Sequence, residues 1–236
     1  MKREIIYGSR PVVEALQSGR RKVFEVFDSI GDQEVKKAAG SRGIKPKRVS
    51  RQRADELSRG GVHQGVVARV EPYPYSGLKE ILASPEPLVL VLDGVTDPRN
   101  LGAVLRTADG AGASGVVIPR DRAAGVTAAA VKASAGASEL LRVARETNLR
   151  RAIETMKEAG LWVYAAEATG TPYTQLDLAG PVGLVLGSEG RGVRRLVREA
   201  CDGAVAIPML GDVGSLNVSV AAAVLLYEVR RQRRWP

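Results

Sequence analysis

Apolar and polar positions fall into two series of short runs, separated by a proline-rich stretch. The first series alternates EIIYG, RPVVEALQSG, KVFEVFDSI, QEVKKAAGSRG, KPKRVS, ADELSRG and QGVVARVE. Strand-length apolar runs interleaved with segments of helical spacing predict a small layered α/β domain over residues 1–70. The next stretch, EPYPYSGLKEILASPEP, carries four prolines in 17 residues. It predicts a linker over residues 71–87, with one helical turn from Leu78 to Leu82. The second series, residues 88–236, opens with LVLVLDG, a continuous apolar run suited to a buried parallel strand. GVVIP, LWVYAA, VGLVLG and GAVAIP predict four more strands, with helices between most of them. The chain closes on SLNVSVAAAVLLYEVRRQRR, a predicted helix whose final arginines suit the negative end of its dipole.

One segment invites a cofactor assignment. Gly110-x-Gly112-x-x-Gly115 matches the dinucleotide-binding pattern, but a working fingerprint follows a strand and opens a helix. Here Asp97 and Pro98 are placed to cap and start a helix. Leu101, Val104, Leu105 and Ala108 then share one face of it. The glycines follow that helix, so they predict a stop and a turn rather than a pyrophosphate cradle. On the polar face, Arg99 and Arg106 lie seven residues apart with Gly102 and Ala103 between them. Two guanidiniums beside a bare patch of backbone can hold a phosphate or ribose; singly, such arginines are simply solvated.

Charge adds a partner class. The net +9 is concentrated in residues 1–70, where 16 Lys and Arg face 8 Asp and Glu; the remaining residues carry 19 against 18. A basic segment fits a polyanion, and equally a solvated face that keeps the protein soluble. Tyr7, Phe24 and Phe27 are its only aromatics, which favours recognition of backbone and shape over base stacking. One cysteine, Cys201, excludes a disulfide framework, and one histidine, His63, excludes a Ser-His-Asp triad or a His-rich metal site. The longest strongly apolar run, Val218 to Leu226, is too short for a membrane helix, and MKREIIYGSR lacks a signal-peptide core, so a cytoplasmic location is expected.

TDPRNLGAVLRTAD, LVLGSEGRGV and IPMLGDVGSLNVSVAAAVLLYE, in this order and spacing, resemble the three motifs of the SpoU (TrmH-like) RNA ribose 2′-O-methyltransferases of the SPOUT superfamily. IYGSRPVVEAL and HQGVVARV resemble that family's small RNA-binding domain, of the L30e type. KASAGASE followed by RVARETNL is most similar to the branch that methylates a guanosine ribose in 23S ribosomal RNA. The resemblance implies a fold of two α/β parts. An L30e-like domain precedes a parallel-sheet SPOUT domain containing a deep trefoil knot, which a general rule against knotted chains would not anticipate. It further implies S-adenosyl-L-methionine as cofactor, RNA as partner and a homodimer, and it places Gly187, Ile207, Met209 and Leu216 around the cofactor. These types fit: glycine admits close backbone approach, and the others offer apolar surface to an adenine.

The family match puts Arg106 at the acceptor hydroxyl. A guanidinium with a pKa of roughly 12 to 14 is poorly matched to a general base, so its expected role is to orient the hydroxyl and stabilise the developing alkoxide. Glu189 either accepts a proton or pins the glycine-rich turn through backbone amides. Asn100, Ser215 and Asn217 either meet substrate or cap helices locally, with Ser215 at the expected cap of the last helix. Two rivals remain: a non-catalytic RNA-binding protein with this fold, and a related enzyme acting on transfer RNA or another ribosomal RNA nucleotide.

Overall fold

A computed structural model describes residues 3–212 and 214–234. The basic N-terminal segment builds a four-stranded sheet from β1 (Glu4–Tyr7), β2 (Val23–Asp28), β3 (Lys47–Arg48) and β4 (Val66–Val70). The order is β1-β4-β2-β3, with β4 antiparallel to both its neighbours and β3 parallel to β2. Helices α1 (Ser9–Ser18), α2 (Gln33–Gly40) and α3 (Arg51–Ser58) connect the strands. Asp32 caps α2 by accepting from the amides of Glu34 and Val35, and Ser50 caps α3 by accepting from Arg53.

After α4 (Leu78–Leu82), the second unit is a six-stranded sheet in which every pairing is parallel. Its strands are β5 (Leu88–Asp93), β6 (Gly115–Pro119), β7 (Val143–Glu146), β8 (Trp162–Pro172), β9 (Val182–Gly187) and β10 (Gly203–Ala206), in the order β10-β8-β9-β5-β6-β7. All six residues of β5 are buried, as a strand covered on both faces requires. Its side chains alternate between two cores. Leu88, Leu90 and Leu92 join the cluster under α5 (Pro98–Gly110), α6 (Ala128–Ala133) and α9 (Val218–Gln232). Val89 and Val91 join the cluster under α4, α7 (Leu149–Glu158) and α8 (Arg195–Arg198). No helix among the described residues is long and apolar enough to cross a membrane.

The structure departs from the sequence expectations at three places. A sixth strand, β7, lies in RVARETNL; four residues with only Val143 and Ala144 buried carry too little alternation to be seen. Strand β8 runs on from LWVYAA to Pro172 and bulges against β10. Gly102 is not bare backbone for a ligand: it is buried, and a Cβ there would lie 2.6 Å from the Ala130 carbonyl oxygen on α6. Its lack of a side chain serves helix packing.

The first core cluster includes Ile6, Val12 and Val13 beside Leu90, Leu101 and Leu105, so the two sheets share apolar packing. Residues 71–87 are anchored as they pass between them. Tyr73, Leu78 and Ile81 are buried, and the Tyr73 hydroxyl donates to the Ser138 carbonyl at 2.8 Å. The KASAGASE segment and the two leucines that follow it are the seat on which the first unit docks. Arg20 Nη1 donates to the Leu141 carbonyl at 2.5 Å, and Arg21 Nε donates to Glu139 Oε2 at 2.9 Å. Gly136, at φ 92°, lets α1 approach; a Cβ there would meet Glu14 Cγ at 2.7 Å.

Candidate active site

A cavity of about 480 Å³ opens at the carboxyl ends of β8, β9 and β10, the edge where parallel α/β sheets bind their ligands. Its wall is the turn after β9. Gly192 N donates to the Ser188 carbonyl at 2.9 Å, folding Gly192 and Val193 back over the strand end. Any side chain at Gly187 would overlap that returning backbone. Gly190 and Gly192 sit at φ 79° and 65°, the left-handed region glycine adopts without strain. Asp93, which pairs with Gly187 across the sheet, holds the far end of the turn. Its buried carboxylate accepts from Arg194 N at 2.8 Å and Nε at 2.7 Å, and pairs with Nη2 at 2.6 Å.

Ile207, Met209, Ser215 and Leu216 line the opposite side, and Ala166 to Thr169 of β8 form the floor. The lining therefore combines exposed backbone on one wall with aliphatic and thioether surface on the other. That combination fits a nucleoside cofactor, whose polar edges meet backbone groups and whose flat base needs apolar cover. The volume suits one too, falling within the roughly 300 to 1,000 Å³ of small-ligand pockets.

Three residues from separate motifs meet through hydrogen bonds. Asn100 Nδ2 donates to Glu189 Oε1 at 3.1 Å, and Asn217 Nδ2 donates to the same oxygen at 2.6 Å and to Asn100 Oδ1 at 3.1 Å. Asn217 is oriented from behind, since its Oδ1 accepts from Ser219 N at 2.9 Å and Ser219 Oγ at 2.6 Å. Asp97 caps α5 through Arg99 N at 2.8 Å, and Pro98 occupies the first turn, so the helix start that presents Asn100 is fixed locally.

Gly187, Glu189, Ile207, Met209, Ser215 and Leu216 all border the cavity; Asn100 and Asn217 reach its edge through Glu189. Arg106 stands apart. It is exposed, does not line the cavity, and lies six residues beyond Asn100 on α5, about 9 Å along the axis. Two expectations need correction. The cap of α9 is Asn217, not Ser215, because Ser215 lies two residues before the cap position, too early for its oxygen to meet the first free amides. Glu189 accepts from the side-chain amides of Asn100 and Asn217, where one of its two expected roles had it bonding backbone amides of the turn.

The Asp93 clamp and the β8 floor were not anticipated. Asp93 had a signal, a carboxylate ending an otherwise apolar strand; Ala166 to Thr169 had none, because their place depends on how far β8 extends. His63 is a buried structural residue, its Nδ1 accepting from Gly65 N at 2.9 Å and its Nε2 bonded to Asp55 Oδ1 at 2.9 Å. No cluster of His, Cys, Asp or Glu among the described residues is arranged to hold a metal ion.

Comparison with known proteins agrees with this geometry. Residues 87–227 match the SpoU rRNA Methylase family, and residues 5–76 match the RNA 2′-O ribose methyltransferase substrate binding family. The chain is 46% identical to the 23S rRNA (guanosine-2′-O-)-methyltransferase RlmB of Photorhabdus laumondii, over 98% of each chain. It is 44% identical to RlmB of Escherichia coli strain K12, over 98% of this chain and 99% of that one. An AdoMet-bound rRNA methyltransferase from Sinorhizobium meliloti superposes with a TM-score of 0.83 at 29% identity, covering 97% of this chain and 87% of that one. Fold, cavity and kinship define an α/β methyltransferase with an RNA substrate-binding unit at its amino end. The chain belongs to the SpoU rRNA methylase family.

Proposed function

We propose that the protein transfers a methyl group from S-adenosyl-L-methionine to the ribose 2′-hydroxyl of a guanosine in 23S ribosomal RNA. The observation that carries this reading is the joining of Asn100, Glu189 and Asn217 at the mouth of the glycine-walled cavity, in a chain nearly full-length similar to RlmB enzymes. The cofactor supplies an electrophilic methyl on its sulfonium. Gly187 and the turn to Gly192 give it backbone, and Ile207, Met209 and Leu216 cover its base. Glu189 sets the two amides, which position the acceptor ribose. Arg106 orients the hydroxyl and stabilises the charge that develops on its oxygen, a role suited to a permanently charged guanidinium.

Residues 1–70 bind RNA, 71–87 connect, and 88–236 hold the chemistry. The four-stranded helix-backed sheet supports the L30e-like reading of the first part. The return of Gly192 over Gly187, and the meeting of Asn217 with Asn100, support a knotted threading of the second. Because Arg106 lies outside the cavity, a second copy completes the working unit. Val220 and Tyr227, 47% and 44% exposed on one stripe of α9, supply apolar surface for that pairing. A ribosomal RNA substrate supports a cytoplasmic location.

Ribose methylation mapped across ribosomal RNA from cells with and without the protein tests the substrate. Loss at one 23S guanosine is the expected result; unchanged methylation everywhere would overturn the reading. Arg106→Lys tests the base question, since retention of measurable turnover is expected if the cation acts by charge.

A further inference from the structure

A second cavity, of about 610 Å³, lies where the N-terminal unit meets the catalytic one. From the first come β1, the end of α3 and the start of the connecting segment; from the second come residues 125–128 and Arg145 of β7. Aromatic residues are only 4% of the chain, yet Tyr7, Tyr73 and Tyr75, three of its six tyrosines, line this one space. Arg3, Arg59 and Arg145 line it too, against one carboxylate, Glu4, which already faces Arg21 at 3.7 Å.

The walls are fixed before any ligand arrives. Tyr75 Oη accepts from Val126 N at 2.9 Å, and its ring packs against Tyr73 at a centroid separation of 4.9 Å. Arg145 lies over the Tyr75 ring at 5.0 Å and donates to the Arg120 carbonyl at 2.6 Å. Arg59 caps α3 in the left-handed conformation at φ 53°, its amide donating to the Asp55 and Glu56 carbonyls, while its guanidinium has no acidic partner among the described residues. The residue 125–128 loop is tied back to the site, because Ala124 N donates to the Val95 carbonyl at 2.8 Å, two residues before the Asp97 cap.

Fixed aromatic surface beside unpaired guanidinium is the chemistry that recognises an unstacked nucleotide, with the ring meeting the base and the cation its phosphate. We propose that this junction cavity binds a nucleotide of the RNA substrate remote from the methylated one, so that the strand is held by both units while its target reaches the cofactor cavity. The inference rests on the RNA methyltransferase reading and names a subsite that reading does not require. The scarcity of aromatics in residues 1–70 favours recognition of backbone and shape there; this subsite adds Tyr73 and Tyr75 of the connecting segment beside Tyr7.

The test uses the full-length protein and an unmodified 23S rRNA transcript. Ultraviolet cross-linking is expected to attach RNA to peptides containing Tyr7 or Tyr75. The Arg59→Glu/Arg145→Glu variant is expected to raise KM for the transcript about tenfold or more, with little change in kcat and AdoMet affinity unaltered, as loss of uniform binding requires. Arg150→Glu on α7, outside both cavities, controls for loss of positive charge alone. An unchanged KM in the double variant, an equal rise in the Arg150→Glu control, or cross-links confined to other peptides would overturn the proposal. If the wild-type protein methylates no RNA, the enzymatic reading fails instead, and cross-linking still decides whether the junction holds RNA.

Discussion

The Asp93 carboxylate grips Arg194 through the backbone amide and two guanidinium nitrogens, Nε and Nη2, at 2.8, 2.7 and 2.6 Å, and so ties the turn that walls the cofactor cavity to the end of the central strand. Asp93→Asn keeps the shape but sets an amide N–H₂ against donors. Breaking a buried charge-assisted bond costs about 1.5 to 3 kcal/mol, so AdoMet affinity is expected to fall about tenfold to a hundredfold. Calorimetric titration with AdoMet measures this, while KM for RNA stays near its wild-type value. Arg194→Ala, which keeps the backbone bond, is expected to do less harm; equal AdoMet affinity in all three proteins would remove the clamp from any role in binding.

Gly187→Ala is expected to abolish AdoMet binding, because its methyl would overlap the backbone of Gly192 and Val193, which cannot move without opening the cavity wall. Gly190→Ala has open space around the new methyl and faces only left-handed strain, of order 1 kcal/mol. The contrast between the two in cofactor titration separates steric closure from backbone strain.

The shared acceptor Glu189 Oε1 makes the Asn100, Glu189 and Asn217 cluster a coupled unit. Glu189→Gln and Asn217→Ala are each expected to lower kcat for RNA methylation by about 10- to 100-fold, the scale of lost positioning. The Glu189→Gln/Asn217→Ala double variant should be little worse than the poorer single one, since neighbours that act together are not additive. Multiplied losses in single-turnover assays would show the residues acting independently.

Much of this arrangement was legible in the sequence, for identifiable reasons. LVLVLD announces a buried parallel strand because both faces of β5 are covered, and Asp97-Pro98 announces the start of α5 because capping is local chemistry. The same locality explains why Gly110 and Gly112 read correctly as the stop of that helix and the turn after it, with Gly115 opening β6. What was missed depends on partners distant in the chain. Gly102 resembles a phosphate cradle until α6 is laid against it. Ser215 and Asn217 are equally good caps until the helix start is known to the residue. Arg21 and Glu139 are 118 positions apart, and nothing at either position announces the other.

Cys201 is half-buried, and its thiol donates to the Val197 carbonyl at 3.3 Å. Burial, reinforced by the negative charge of Asp202, pushes the thiol from 9.0 up to about 12. The folded protein thus keeps a proton that the unfolded chain loses near pH 9. The associated stability is fully present below that pH and is lost as pH rises towards 12. Alkylation by iodoacetamide at pH 8 is expected to be slow in buffer and fast in urea, and mass spectrometry of the labelled chain reads it directly. Equal rates in both would mean that the thiolate is already accessible in the fold.

Arg21 and Glu139 join the two units through a forked pair in which each side chain is 1% exposed. Burial pushes the Glu139 carboxyl up, against the opposing pull of Arg21, so neither group is comfortable without the other. Removing one partner strands a charge between the units, at a cost of about 3 to 5 kcal/mol, whereas an apolar pair of similar volume avoids that cost. Arg21→Met is therefore expected to shift urea unfolding strongly, and Arg21→Met/Glu139→Leu to recover much of the loss. The double variant should keep its AdoMet affinity, because the pair lies outside the cofactor cavity. Its affinity for RNA should fall only if the two units lose their mutual orientation, and limited proteolysis across residues 71–87 reports that orientation independently. A single variant as stable as the double one would show that the charges are solvated at the seam, and that the apolar packing of Ile6, Val12 and Leu90 alone joins the units.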